Sequence, residues 1–193
     1  MPRHDYATGT ARQMHSGPPR PCHFHLHAKW GSASMLGNLI SGGIAGLAAT
    51  APMTVVMRAG ESYVPRPTGG RLPPRQITER LLHMADLKSG MDEQERSAAA
   101  TAAHYGFGAA AGCLLGAAAP QLPQVSRPLL GTAIGLAVWA GSYMGWLPLA
   151  DIRRPATEEP KERNAQMIAA HVVWGCVAGC IIAAVEQGSR ART

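Results

Sequence analysis

Two histidines are the side chains of this sequence best placed to do chemistry, because each stands inside an apolar run at the head of the same pattern. Ala102-Ala103-His104-Tyr105-Gly106-Phe107-Gly108-Ala109-Ala110-Ala111-Gly112-Cys113 is echoed by Ala169-Ala170-His171-Val172-Val173-Trp174-Gly175-Cys176-Val177-Ala178-Gly179-Cys180, and both read A-A-H-x-x-x-G-x-x-A-G-C. An imidazole changes charge near neutral pH, donates or accepts hydrogen bonds at two nitrogens, and ligates metals. A match of this length points to an internal duplication. A second constellation, Cys22-His23-Phe24-His25-Leu26-His27, alternates imidazoles beside a thiol and suits Zn, Cu or Ni. With no second ligand cluster to fix a geometry, its plainer reading is a solvated tail.

The elements that must position the histidines are four apolar segments, at about 35–57, 98–119, 129–150 and 165–185. Each approaches the ~20 residues a helix needs to cross a ~30 Å hydrocarbon core. No Asp, Glu, Lys or Arg occurs over 98–119 or 129–150, whereas soluble core helices seldom stay uncharged around their whole circumference. A histidine six residues inside such a span lies ~9 Å along the helix from its start, deep enough to need a partner. The expected fold is all-α, an integral membrane four-helix bundle built from two parallel-oriented repeats of a helical hairpin.

Helical spacing puts His104, Gly108, Gly112 and Gly116 on one face, and likewise His171, Gly175 and Gly179. With Gly42 and Gly46 in the first span, and Gly131, Gly135, Gly141 and Gly145 in the third, these glycines are the expected helix-packing positions. Pro52 leaves a carbonyl that a neighbouring threonine can help satisfy. Trp139, Tyr143 and Trp146 form a stripe read as packing or an interfacial anchor. Cys113, Cys176 and Cys180 read as small buried packing residues rather than a disulfide framework.

Around the spans, residues 1–34 form a polar tail rich in Pro, Gly, Arg and His, with Met35 an alternative start. No signal-peptide pattern stands at the N-terminus. The polar loop 58–97 opens with a proline-rich extended stretch, then carries an amphipathic helix over Gln76–Leu87 with Ile77, Leu81, Met84 and Ala85 on its apolar side. Asp92, Glu93 and Glu95 complement the dipole of the second long helix. A four-span domain thus covers 35–188, followed by a basic tail at 189–193. Aligning Gly46-Leu47-Ala48 with Gly135-Leu136-Ala137 superimposes the halves and leaves 22 extra residues in the first loop. A two-fold axis along the membrane normal would then place His104 and His171 at similar depth.

The formal charge of +6 lies mostly outside the spans and comes with no nucleic-acid recognition motif, so the expected partner is a lipid bilayer and not nucleic acid. Both termini fall on one side. Lys and Arg number 7 on that side and 11 on the other, which leans towards termini outside.

Gly43-Ile44-Ala45-Gly46, Gly60-Glu61, Val64-Pro65-Arg66-Pro67, Ala103-His104 and Ala170-His171-Val172-Val173-Trp174 together resemble the YagU-like family of small bacterial inner-membrane proteins of unknown function. The resemblance spans roughly 35–190, although Ala103 and Ala170 stand where the family has glycine. It implies a multi-pass protein of the bacterial inner membrane with cytoplasmic termini, and supplies no reaction.

Three roles stand open for the histidine pair. The imidazoles can lock packing by bonding across helices to a carbonyl, Ser or Thr. They can line a route for protons or small solutes, as in a small transporter or channel. They can hold haem or a metal between facing helices. No repeated carboxylate, nucleophile or phosphate loop accompanies them, so the expectation is a non-enzymatic membrane protein with no cofactor, packed through glycine-rich faces that could also build a homo-oligomer.

Overall fold

The computed structural model describes residues 34–63, 73–86 and 90–191. The tail with Cys22, His23, His25 and His27, and the proline-rich stretch 64–72, lie outside the described residues. Regular structure among the described residues is entirely helical: α1 (Met35–Gly60), α2 (Pro73–Met84), α3 (Glu93–Ala118), α4 (Arg127–Ala140), the single turn α5 (Leu147–Leu149) and α6 (Lys161–Arg190). By length and composition two helical stretches could cross a membrane, Met35–Tyr63 and Lys161–Arg190.

Local chemistry sets the helix ends. Ser34 caps α1 by accepting the Gly37 amide at 3.1 Å. Pro73 and Pro74 start α2 three residues earlier than expected, because the first turn is where a missing amide costs nothing. At α3, Asp92 and Glu95 form a reciprocal capping box with both bonds at 2.8 Å. Asp92→Ala should therefore lower stability by about 1 kcal/mol, read as a shift in the denaturation midpoint of the detergent-purified protein.

Two prolines act differently. α1 runs unbroken past Pro52. The threonine beside it, Thr50, donates to the Gly46 carbonyl at 2.8 Å rather than to the Ala48 carbonyl that Pro52 deprives of a donor. In the third apolar segment, expected as one helix over 129–150, Gly141–Trp146 instead form a π-helical turn in which Gly145 leaves helical geometry (φ −113°, ψ −106°). Pro148 explains the break: it cannot donate to the Met144 carbonyl, and its ring crowds that turn.

Consecutive long helices alternate in direction, so Met35 and Arg190 lie at the same end of the bundle. α1 packs along α3 and also along α6, and α6 packs along α4; α3 and α4 meet only briefly. Within each hairpin the two helices interlock through backbone. A Cβ on Gly46 would collide with the Gly108 carbonyl, and one on Gly42 with the Gly112 carbonyl while lying 2.8 Å from Gly116 Cα. In the second hairpin Gly131 meets the Gly175 carbonyl, Gly135 the His171 carbonyl, and Gly179 the Arg127 carbonyl.

These contacts shift the correspondence between the halves by one helical turn. Gly46 opposes Gly108, but Gly135 opposes His171 and it is Gly131 that opposes Gly175. With the histidines matched, Gly131 is the counterpart of Gly46, and Thr50 of Gly135. The Gly-Leu-Ala alignment therefore follows sequence similarity where helix pairing follows the spacing of small residues. Gly141 and Gly145, expected at a helix contact, have nothing within 4 Å of a Cβ built on them; they belong to the π turn, whose wider coil moves them off the α6 face. The other glycines expected at helix contacts meet neighbouring helices of the same chain.

Cys176 and Cys180 are exposed and Cys113 is half-buried, a correction to their reading as buried packing residues. The buried side of α6 carries Ala170, His171, Trp174, Gly175, Ala178 and Gly179, which turns the two cysteines, one turn apart, outward. α2 likewise buries Pro73 and Thr78 and leaves Leu81 and Met84 exposed.

Candidate functional site

His104 and His171 line one cavity of about 240 Å³. α3 supplies His104 and Phe107, α6 supplies Met167, His171 and Trp174, and α1 supplies Thr50, Met53 and Met57. The π turn brings in Ser142, Tyr143 and Trp146, and α2 lies over one end with Ile77, Thr78 and Leu81. Positions i, i+1 and i+4 lie on one side of a helical turn, so 142, 143 and 146 border the same space. Histidine apart, no ionisable acid or base among the described residues other than Tyr143 lines the cavity.

The two imidazoles differ. His171 is buried, and its Nδ1 lies 2.7 Å from the Met167 carbonyl. A carbonyl can only accept, so Nδ1 carries the proton and Nε2 keeps a lone pair. The ring stands edge-on to Tyr143 at 6.4 Å. On His104, Nε2 is buried with no hydrogen-bond partner among the described residues. Leaving such an atom unsatisfied costs about 1–3 kcal/mol, which is why buried nitrogens are normally paired.

Neither histidine makes the cross-helix bond expected of a packing lock. That work is done by Trp174 Nε1, which donates to the Gly46 carbonyl at 3.0 Å, and by Gln166, whose amide donates to the Met57 carbonyl; both join α6 to α1. The histidine faces were legible because a polar residue inside an apolar repeat stands out. The roles of Trp174 and Gln166 depend on a partner helix more than a hundred residues away in sequence.

A polar layer closes the loop end of the bundle. Arg153 donates to Gln76 Oε1 at 2.8 Å, pairs with Glu159 at 3.2 Å, and holds its guanidinium 5.7 Å from the centre of the Tyr143 ring. Arg75 bridges Glu79, at 3.0 Å, and Glu93 of α3. α2 is thus tied both to α3 and to the segment after α5, which holds it over the cavity. At the opposite end Arg127 Nε sits 2.9 and 3.0 Å from the two Glu186 oxygens and joins α4 to α6.

Trp139, Tyr143 and Trp146 part company. Tyr143 is buried and stacks against Trp139 at 6.4 Å, while Trp146 faces outward at 40% exposure and donates its indole hydrogen to Ser142 Oγ at 3.2 Å. The sequence signal for this divergence was Pro148, with Gly141 and Gly145 ahead of it.

Among the described residues no group of three or more His, Cys, Asp or Glu side chains converges as a metal site would require. No protein-family model, curated protein or solved structure matches this chain.

Proposed function

We propose that this chain is a non-enzymatic, multi-pass membrane protein whose bundle holds a small molecule between the two histidines. The observation that carries the reading is the shared cavity: two imidazoles far apart in sequence face one mostly apolar space, one presenting a free lone pair and the other an unpartnered nitrogen.

Placement in a bilayer draws on surface chemistry. Leu36, Ile40, Ile44, Leu47 and Val55 of α1 are exposed, as are Leu114, Leu129, Met144 and Val185 elsewhere on the bundle. Apolar patches of this extent are uncommon on soluble monomers, and lipid would cover them. Only 33% and 39% of the apolar windows of α1 and α6 are buried within the protein, so neither behaves as the enclosed core helix of a soluble fold. In this reading α3, and α4 with its π turn and α5, are the two further spans. The matching glycine interlocks of the two hairpins support duplication of one ancestral hairpin. Kinship with YagU-like proteins, an inner-membrane location and cytoplasmic termini belong to the same proposal and rest on the residues that carry the resemblance.

The non-enzymatic reading follows from the lining. Among the described residues no carboxylate, thiol or ammonium lines the cavity, and the Ser142 hydroxyl is engaged by Trp146 rather than by either histidine. An imidazole can serve as general acid or base, but among the described residues no nucleophile or carboxylate is hydrogen-bonded to either histidine.

Alkaline carbonate extraction of the tagged full chain tests the location: retention in the pellet is expected, and release into the soluble fraction would overturn the bilayer reading. A second reading, passage of protons or small solutes along the histidines, is favoured by both imidazoles lining one cavity. It predicts flux in proteoliposomes that falls at least tenfold in His104→Ala and His171→Ala while both variants keep their thermal midpoint within a few degrees.

A further inference from the structure

The cavity's shape and donor pattern narrow what it can hold. Its volume of about 240 Å³ exceeds the roughly 150 Å³ of an apolar protein cavity that accommodates benzene, so a molecule of two fused rings is the right scale. Phe107, Tyr143, Trp146 and Trp174 supply aromatic walls, against which a flat ring packs edge-to-face or offset. Among the described residues no Lys, Arg, Asp or Glu lines the cavity, so an ionised ligand would lose its hydration with no countercharge from them in return. A neutral ligand is therefore required.

One polar contact is dictated by tautomer. His171 has committed its Nδ1 hydrogen to Met167, so its Nε2 can only accept, and the ligand must bring the proton.

The route in lies between α3 and α4. α3 and α4 touch only briefly, and two aromatic residues of the cavity wall there, Phe107 and Trp146, are 48% and 40% exposed. This mouth opens through the apolar surface that the bilayer would cover, not through the polar layer at the loop end.

We propose that the cavity binds a neutral, lipid-soluble hydroxyarene of about two fused rings, which enters between α3 and α4 and donates its hydroxyl hydrogen to His171 Nε2. The inference rests on the reading of this space as a membrane-embedded binding site and adds the chemical class of its ligand.

Four related probes test it on the full chain purified in detergent: 2-naphthol, its methyl ether 2-methoxynaphthalene, naphthalene and 2-naphthoate. Quenching of tryptophan fluorescence reports occupancy, since Trp146 and Trp174 line the cavity, with each probe's partition into empty micelles subtracted. Saturable binding of 2-naphthol, about tenfold tighter than naphthalene or the methyl ether, is expected from one buried hydrogen bond that only the naphthol can donate. His171→Phe should erase that preference while leaving naphthalene affinity within about twofold. Ala103→Trp, at an exposed position on the cavity rim, should weaken all neutral probes without unfolding the bundle.

Equal affinity for 2-naphthol and its methyl ether in the wild-type protein would overturn the proposal without recourse to any variant, and so would tightest binding of 2-naphthoate. In both cases the cavity still binds a ligand and the broader reading survives. Failure of all four probes to saturate would bring down the broader reading as well.

Discussion

Replacing Gly112 by leucine should cost at least about 3 kcal/mol and leave little folded protein in mild detergent. A Cβ there would collide with the Gly42 carbonyl and lie 2.8 Å from Gly46 Cα, so the obstacle on the facing helix is backbone, which cannot rotate away as a flexible side chain would. Relief requires α1 and α3 to separate, and separation forfeits the close contact along their whole seam. Gly106, on the same helix with nothing within 4 Å of its would-be Cβ, is the internal control. Gly106→Ala should be neutral or stabilise by up to about 1 kcal/mol, through helix propensity alone. Resistance to denaturation by SDS, followed by far-UV circular dichroism, separates the two variants. Similar midpoints for Gly112→Leu and the wild type would show that α1 and α3 do not meet as described.

Trp174→Ala is the other large effect, because one residue serves three purposes. Its side chain is 2% exposed, its indole hydrogen bonds the Gly46 carbonyl at 3.0 Å, and its ring forms part of the cavity wall. Truncation removes a large buried ring and leaves a void, for which about 3–5 kcal/mol is typical. Trp174→Phe keeps most of the ring and gives up the hydrogen bond, so a loss of about 1–2 kcal/mol is expected. The two variants divide the seam between α1 and α6 into packing and hydrogen bonding, and a midpoint for Trp174→Phe as low as that of Trp174→Ala would assign nearly all of it to the bond. The seam matters beyond its own energy, because it joins the α1/α3 hairpin to the α4/α6 hairpin.

How far the fold could be read in advance depended on the kind of information each element carries. The four apolar segments announce themselves by composition, and all four contain helix. The ends of α1 and α3 follow from Ser34 and from Asp92 with Glu95, because capping is settled by side chains within one turn. The glycines that let backbones touch were visible as a repeating pattern. Their pairing register was not, since sliding one helix by a turn changes no residue's neighbours along its own chain. The π turn was signalled only indirectly by Pro148, since a proline near the end of a run is as compatible with termination as with a bulge.

What the sequence by itself determined is the set of short-range decisions: helical segments, their caps, their small-residue faces, and a histidine at corresponding points of two similar stretches. Those follow from periodicity and from side chains bonding to the nearby backbone, both of which act over a few residues. The tertiary structure alone decided that His104 and His171 face one cavity, that Trp174 and Gln166 hold α6 to α1, that Cys176 and Cys180 turn outward, and that a Cβ on Gly141 or Gly145 would meet open space. Each of these depends on the rotation and register of one helix against another. Close approach of backbones sets that geometry, and close approach is a property of two surfaces together, which neither segment specifies alone.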